Sequence, residues 1–330
     1  MCTAVSYTTK DHYFGRNLDL EYSYHEAVTV TPRRYPFRFR RLRTLNCHYA
    51  MIGVAYVVDD YPLYYDATNE KGLSMAGLNF PDNAVYMPEA PGKDNVTPFE
   101  FIPWVLSQCA DVAEARDLLK RVNLVDLNFS PELPLTPLHW MISDKKESIV
   151  VEQVKEGLTV FDDPVNVLTN NPPFHYHLVN LANYMDLSSG EPVNRFCGSL
   201  ELVPYSRGMG AMGLPGDMSS ASRFVKAAFV LLNSVCGDSE LESVSQFFHI
   251  LDSVDQPRGC VRVGDQYVVT TYTTCCNADK GIFYYTTYEN SQITGVDMHR
   301  EDLDGCALAC YPLIRGQQIR LVNGHRPLQR

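Results

Sequence analysis

The chain is predicted to adopt an α+β fold in which β-sheets are layered against helices. Strand patterns crowd the N-terminal quarter and return near the C-terminal end, with most of the helical patterns between them. That order lacks the strict strand–helix–strand alternation of a doubly wound parallel sheet. No Pro/Gly/Ser-rich linker, charge run or internal repeat divides the 330 residues, so residues 1–330 are read as a single domain.

Residues 2–8 (CTAVSYT) and 13–20 (YFGRNLDL) read as a hairpin turning at Lys10-Asp11-His12. Its second strand carries Arg16 and Asp19, three apart, which an ideal strand puts on opposite faces; both can serve one site only if Gly15 bulges or pairing ends there. Residues 49–58 (YAMIGVAYVV) form an apolar run suited to a buried strand, and residues 63–66 lead through the Asn69–Gly72 turn into LSMAGLNF at 73–80. Asn79 sits at the far end of that strand.

Ile102, Val105, Leu106 and Cys109 are spaced for one helical face. A second helix opens at Asp111 with Glu114 as a capping box and carries Val112, Ala115, Leu118 and Leu119. Pro131 to Pro137 marks a rigid loop. Short strands follow at 138–143, 148–154 and 158–161, and two prolines stop the VLTNNPP strand just after Asn170 and Asn171.

The segment 208–213 is a literal GxGxxG, yet Leu214-Pro215-Gly216 forbids the helix that a dinucleotide site needs next. A helix then starts at Ser219 or Ser220 with Arg223 in its first turn, where a cation opposes the helix dipole and calls for an anionic partner. Ser239 and Glu242 cap another helix, and strands return at 267–274, 281–289 and 293–299.

A net charge of −11, from 28 basic and 39 acidic residues, argues against nucleic acid and anionic membranes as partners. No apolar run approaches a membrane span and the N-terminus lacks a signal-peptide layout, so the expected compartment is the cytoplasm. The ten cysteines are irregularly spaced and read mostly as core filler. His175 and His177 would share a strand face, but without a third ligand at zinc spacing no metal site is expected.

Cys2 directly follows the initiator methionine and is small enough for an aminopeptidase to remove Met1. A terminal α-amine titrates at about 7.7–8.0 and a thiol at about 8.5, so one residue would carry both a nucleophile and its base. Taken alone, Cys2 reads first as a small apolar residue opening a buried strand. The balance shifts only with what lies downstream.

The segments MCTA, FGRNLDLEYSY (14–24), NEKGLSMAGLNFP (69–81), VLTNNPP (167–173), MGLPGD (212–217) and SSASRFVKA (219–227) together resemble the choloylglycine hydrolase family, specifically its bile salt hydrolases. The resemblance runs from Cys2 to about residue 298. It implies an N-terminal-nucleophile αββα four-layer sandwich that cleaves the amide between a bile acid and glycine or taurine, with no cofactor and no metal. By motif position Cys2 is the implied nucleophile, accompanied by Arg16, Asp19, Asn79, Asn170 and Arg223.

Chemistry gives each a role. Asp19 would hold the terminal amine, Arg16 and Arg223 would favour a thiolate, and Asn170 and Asn79 would donate to the tetrahedral oxyanion. Leu18, Tyr24, Phe129, Leu133 and Leu135 are the candidate walls for a bulky apolar acyl group. The resemblance further implies a homotetramer built partly by an extended loop at roughly 185–217, whose Tyr205-Ser206-Arg207 leans toward glycine conjugates. Two rivals stand beside this reading: a penicillin V acylase or other N-acyl amide hydrolase of the same fold, and a catalytically silent steroid-acid binding protein.

Overall fold

The computed structural model describes residues 1–323. Strands β1 (Cys2–Thr8), β2 (His12–Leu20), β3 (Ala27–Thr31), β4 (Met51–Val58), β5 (Tyr61–Asn69) and β6 (Ser74–Asn79) come first. A short parallel pair, β7 (Asp94–Val96) and β8 (Val122–Leu124), brackets helices α1 (Phe101–Leu106) and α2 (Val112–Leu119). Then follow β9 (Leu138–Ser143), β10 (Ser148–Val154), β11 (Gly157–Asp162), the two-residue β12 (Val167–Leu168) and α3 (Phe174–Asn180). Helices α4 (Ser220–Asn233) and α5 (Glu240–Asp252) precede a small hairpin of β13 (Arg262–Val263) and β14 (Gln266–Tyr267). The described chain closes with β15 (Val269–Asn277), β16 (Ile282–Thr287), β17 (Asn290–Asp297) and β18 (Ala309–Pro312).

Two sheets stack face to face, one of six strands in the order β12-β1-β2-β15-β16-β17, the other of eight in the order β11-β10-β9-β6-β5-β4-β3-β18. The pleat sorts their apolar residues. On β4, Ile52 and Val54 join Ala4 and Phe14 between the sheets, whereas Met51 and Ala55 turn outward to the layer of α1 and α2. Ala76 and Leu78 on β6, Met141 on β9 and Val150 on β10 face inward by the same rule. Phe101 of α1 meets the outward-facing Trp140 edge to face at 4.8 Å. Helices α4 and α5 cover the far face of the six-stranded sheet, with Phe224, Phe247 and Leu251 buried there. The result is the expected αββα sandwich, and the apolar run at 49–58 is explained because β4 is covered on both faces.

Several local expectations need correction. Gly15 is not a bulge: β1 and β2 pair without interruption from Cys2↔Leu18 to Thr8↔His12, and the irregularity falls on the other side, between Thr270 and Tyr272 of β15. Gly15 is needed for another reason, since a Cβ there would lie 2.0 Å from the Thr274 carbonyl oxygen. Asp111 does cap α2 by accepting from the Glu114 N–H, but Glu114 reaches the Ala110 N–H and the box is half formed. Ser239 and Glu242 form the complete box on α5.

His175 and His177 lie on α3, not on a strand. Two residues apart on a helix they diverge, His177 buried and His175 exposed. Only Cys2, Cys109, Cys275 and Cys276 are buried among the ten free cysteines, so most thiols are not core filler. The GxGxxG segment is loop around a single 3-10 turn at Met209–Ala211, with no helix directly after it. Residues 185–217 are almost entirely exposed and display Val193, Phe196, Leu202, Val203 and Tyr205.

Candidate active site

The site forms where two β-ladders stop. β1 pairs with β12 at Ala4↔Leu168 and Val5↔Val167, and the same register carried two residues further sets Asn170 across from Cys2. There a side chain replaces the backbone acceptor: the Cys2 main-chain N–H donates to Asn170 Oδ1 at 2.7 Å. On the facing sheet, β5 and β6 pair as far as Asp66↔Ala76. The next two carbonyls, Tyr65 and Gly77, both accept from Arg16 Nη1, at 3.1 and 2.5 Å. A guanidinium thus wedges into the ladder and holds its edges apart.

Arg16 stands on the same face of the β1–β2 hairpin as Cys2, because paired residues Cys2↔Leu18 and Ala4↔Arg16 present their side chains together. It is fully buried. Burial works to lower its pKa, but Cys2, Tyr272, Asp66 and Asp19 outweigh that and hold the guanidinium above its ordinary value. Burial pushes the neighbouring Asp66 carboxyl up to about 6, with Arg16 opposing. Arg16 Nη2, Asp66 Oδ1 and the Tyr272 hydroxyl are buried without a protein partner among the described residues.

Asp19 is on the opposite face, as ideal strand geometry requires, and there it meets α4. Its Oδ1 accepts from Thr270 Oγ1 at 2.7 Å, and Oδ2, buried without a hydrogen bond among the described residues, is 3.9 Å from Arg223 Nη1. Burial raises the Asp19 carboxyl, with Arg223 and the chain terminus pulling it back. Asp19 does not hold the amine of Met1 through its carboxylate. The contact is a strand rung in which the Met1 amine donates to the Asp19 carbonyl at 2.6 Å and the Asp19 N–H returns to the Met1 carbonyl at 2.9 Å.

Arg223 has the anionic neighbour that its place in the first turn of α4 called for, and more. Its Nη1 donates to the Cys2 carbonyl at 2.5 Å and to Thr3 Oγ1 at 2.6 Å, Nη2 to Asn170 Oδ1 at 2.8 Å, and Nε to the Met218 carbonyl at 3.2 Å. Burial lowers the Arg223 pKa, with Asp19 and Cys2 opposing. One fork-shaped side chain spans four acceptors, which a lysine cannot do.

These contacts fix the orientation of the Asn170 amide. Its oxygen faces two obligate donors, and its Nδ2 donates to the Asn79 carbonyl at 2.7 Å. The second Nδ2–H is left over. Phe80 N–H donates to Pro137 O, so the antiparallel alternation makes Asn79↔Leu138 a non-bonded pair and turns the Asn79 N–H away from β9, toward the gap that Arg16 opens. The Asn79 side chain makes no hydrogen bond among the described residues. All six polar candidates therefore fall in one connected cluster, though Arg16 and Asp19 reach it from opposite faces.

The apolar candidates are more scattered. Leu18 is buried directly beside Cys2. Tyr24 is exposed, bonded to the Tyr22 hydroxyl and 6.4 Å from the Tyr56 ring. Phe129 packs on Tyr61, Phe99 and Arg40, lining a cavity of about 300 Å³ with Tyr35. Tyr61 is four residues, roughly 13 Å, up β5 from the carbonyl of Tyr65 that Arg16 holds, so Phe129 is not brought to Cys2. Leu133 and Leu135 lie half-buried in the loop that enters β9 at Leu138, opposite Asn79.

Residues missed from the sequence support this cluster: Ser220 Oγ accepts from the Asn170 N–H at 2.8 Å, and Thr270 and Thr3 bind Asp19 and Arg223. Their signal is weak because a buried serine or threonine looks like any other polar strand or cap residue. No group of three or more metal-ligating side chains is found among the described residues.

The chain matches, over residues 2–311, the family model described as linear amide C-N hydrolases, choloylglycine hydrolase family. It is 54% identical over 324 residues to a bile salt hydrolase/transferase of Lactiplantibacillus plantarum, covering 98% of this chain and 100% of that one. Its fold superposes on a crystal structure of a mutant conjugated bile acid hydrolase from Clostridium perfringens with a TM-score of 0.91 at 41% identity, covering 98% and 100% of the two chains. A penicillin V acylase from Agrobacterium tumefaciens shares the fold at a TM-score of 0.70 and 22% identity, over 93% and 90%. With a terminal-cysteine cluster, an αββα sandwich and a family match over nearly its whole length, this chain belongs to the choloylglycine hydrolase family of linear amide C-N hydrolases.

Proposed function

We propose that the chain, once Met1 is removed, hydrolyses the amide joining a bile acid to glycine or taurine through a thioester on Cys2. The observation that carries this reading is the convergence of Asn170 and Arg223 on the main chain of Cys2, in a chain similar from end to end to bile salt hydrolases. Removal of Met1 turns the Cys2 nitrogen into an amine with Asn170 Oδ1 already 2.7 Å away, while Asp19 Oδ2 lies 3.9 Å from Arg223 Nη1, the group that holds the Cys2 carbonyl.

That amine takes the thiol proton, and the sulfur attacks the amide carbonyl. The spare Nδ2–H of Asn170 and the Asn79 N–H receive the developing oxyanion, while the charge of Arg16 favours the thiolate. The amine then passes its proton to the departing glycine or taurine nitrogen. Water, deprotonated by the same amine, cleaves the thioester and frees the bile acid. The L. plantarum relative is named a hydrolase/transferase; on the present mechanism an amine replacing that water would leave with the acyl group.

Leu18 is the wall residue best supported by position, followed by Leu133 and Leu135 in the loop that enters β9 opposite Asn79; Phe129, set apart along β5, is the least supported. The exposed apolar side chains of residues 185–217 support a subunit contact and a homotetramer, and ten free cysteines suit the reducing cytoplasm. Among the described residues no helix is long and apolar enough to cross a membrane. Side-by-side release of glycine from glycocholate and of the side-chain acid from penicillin V tests the substrate; faster penicillin turnover would overturn it.

A further inference from the structure

Asn170 is held by its side chain, but its main chain is held as well, by groups that take no part in the reaction described above. His139 on β9 and His177 on α3 are both buried, and their Nε2 atoms lie 2.8 and 2.9 Å from two successive carbonyl oxygens, those of Thr169 and Asn170. A carbonyl only accepts, so each Nε2 must carry a hydrogen. For His177 this leaves Nδ1 without a hydrogen-bond partner among the described residues, a neutral ring fixed in one tautomer.

His139 differs. Its Nδ1 lies 3.0 Å from Oε1 of Glu152, on the adjacent strand β10, with side-chain exposures of 0% and 2%. The same Oε1 accepts the Phe174 N–H, the first of α3, at 2.9 Å. With acceptors on both sides of the ring, the pair must hold one proton more than a neutral imidazole beside a carboxylate. The His139 ring also stacks on Phe80, next to Asn79, at 4.3 Å and 5°.

We propose that Glu152 and His139 form a buried positioning pair, which with His177 clamps the Thr169 and Asn170 carbonyls and so aims the Asn170 amide at Cys2 and the reacting carbonyl. This rests on the role given to Asn170 under the proposed function. The pair ties β10, β9, the start of α3 and the Asn170 turn to one oxygen atom. Glutamine cannot replace it: an amide oxygen at that point satisfies Phe174 but takes no extra proton to share with His139, and an amide nitrogen there opposes the Phe174 N–H.

The test is Glu152→Gln in the mature full chain, assayed by glycine release from glycocholate, with 15N NMR of the His139 ring in the unsubstituted protein. The expected result is a kcat lower by about 10- to 100-fold with KM changed by less than about twofold, a split that general loosening of the fold would not give. The NMR expectation is two ring nitrogens sharing protonated character, Nδ1 as well as Nε2. A kcat within about twofold of the parent would overturn the proposal. So would a His139 ring with a bare Nδ1, which decides the matter even where the variant does not fold. Should the parent release no glycine at all, the proposed reaction fails, while the NMR result still judges the pair.

Discussion

The Asn170 side-chain oxygen stands 2.7 Å from the Cys2 main-chain nitrogen, in the place where the next rung of the β1–β12 ladder would set a backbone carbonyl. A backbone carbonyl would tie the chain terminus into the sheet. A side-chain amide binds it just as closely and leaves an N–H free on its other side, which suits the strand end to the reaction proposed for it.

Asn170→Asp keeps the shape and removes that N–H. It also turns an acceptor toward the Asn79 carbonyl, where Nδ2 now donates at 2.7 Å. Steady-state hydrolysis of glycocholate is expected to lose about 10²- to 10³-fold in kcat, the scale of one lost oxyanion donor. A loss below about fivefold would remove Asn170 from the oxyanion role.

Cys2→Ala deletes the sulfur but keeps the nitrogen and carbonyl that Asn170 and Arg223 hold. Hydrolysis should fall by at least about 10⁴-fold. The melting temperature and the calorimetric binding of a bile acid should stay close to the parent's. Residual turnover near the parent's would exclude Cys2 as nucleophile.

Arg223→Lys keeps the charge and loses the fork. One ammonium cannot span the carbonyls of Cys2 and Met218, Thr3 Oγ1 and Asn170 Oδ1. Denaturant unfolding should show a loss of about 2–3 kcal/mol, and kcat should fall more than tenfold, about what a displaced reacting group costs. Unchanged stability would mean that the fork adds nothing beyond its charge.

Asp163 lies in the turn that feeds β12 and is expected to contribute to the pH dependence of stability. Burial pushes its carboxyl up to about 7 although it accepts from the Val165 and Asn166 N–H groups. The folded pKa is above the unfolded one, so the contribution is full below the unfolded pKa and is lost as pH rises through the folded value. Asparagine cannot ionise, and Asp163→Asn should therefore gain on the parent between about pH 4 and 8, by no more than about 4 kcal/mol. Urea unfolding at three pH values checks this; a pH-independent difference would contradict it.

Much of the framework is legible in the residues because each signal is local. The β1–β2 hairpin, the doubly covered β4 and the capping box at Ser239 all follow from patterning within about ten residues. The six polar site residues are recoverable only through motif resemblance, since β1, β6, the turn after β12 and α4 are distant in sequence. The α3 helix is masked in the sequence by two prolines and a His-Tyr-His run. Arg16 and Asp19 occupy opposite faces of one strand, which a site on a single sheet face cannot use; at a strand end both faces are within reach.

The most direct measurement is mass spectrometry of the purified chain, intact and after acid quenching during glycocholate turnover. The account predicts a protein lacking Met1 that carries one cholyl group in thioester linkage on Cys2. Full turnover by a chain that retains Met1, or an acyl group mapped to another residue, would contradict it.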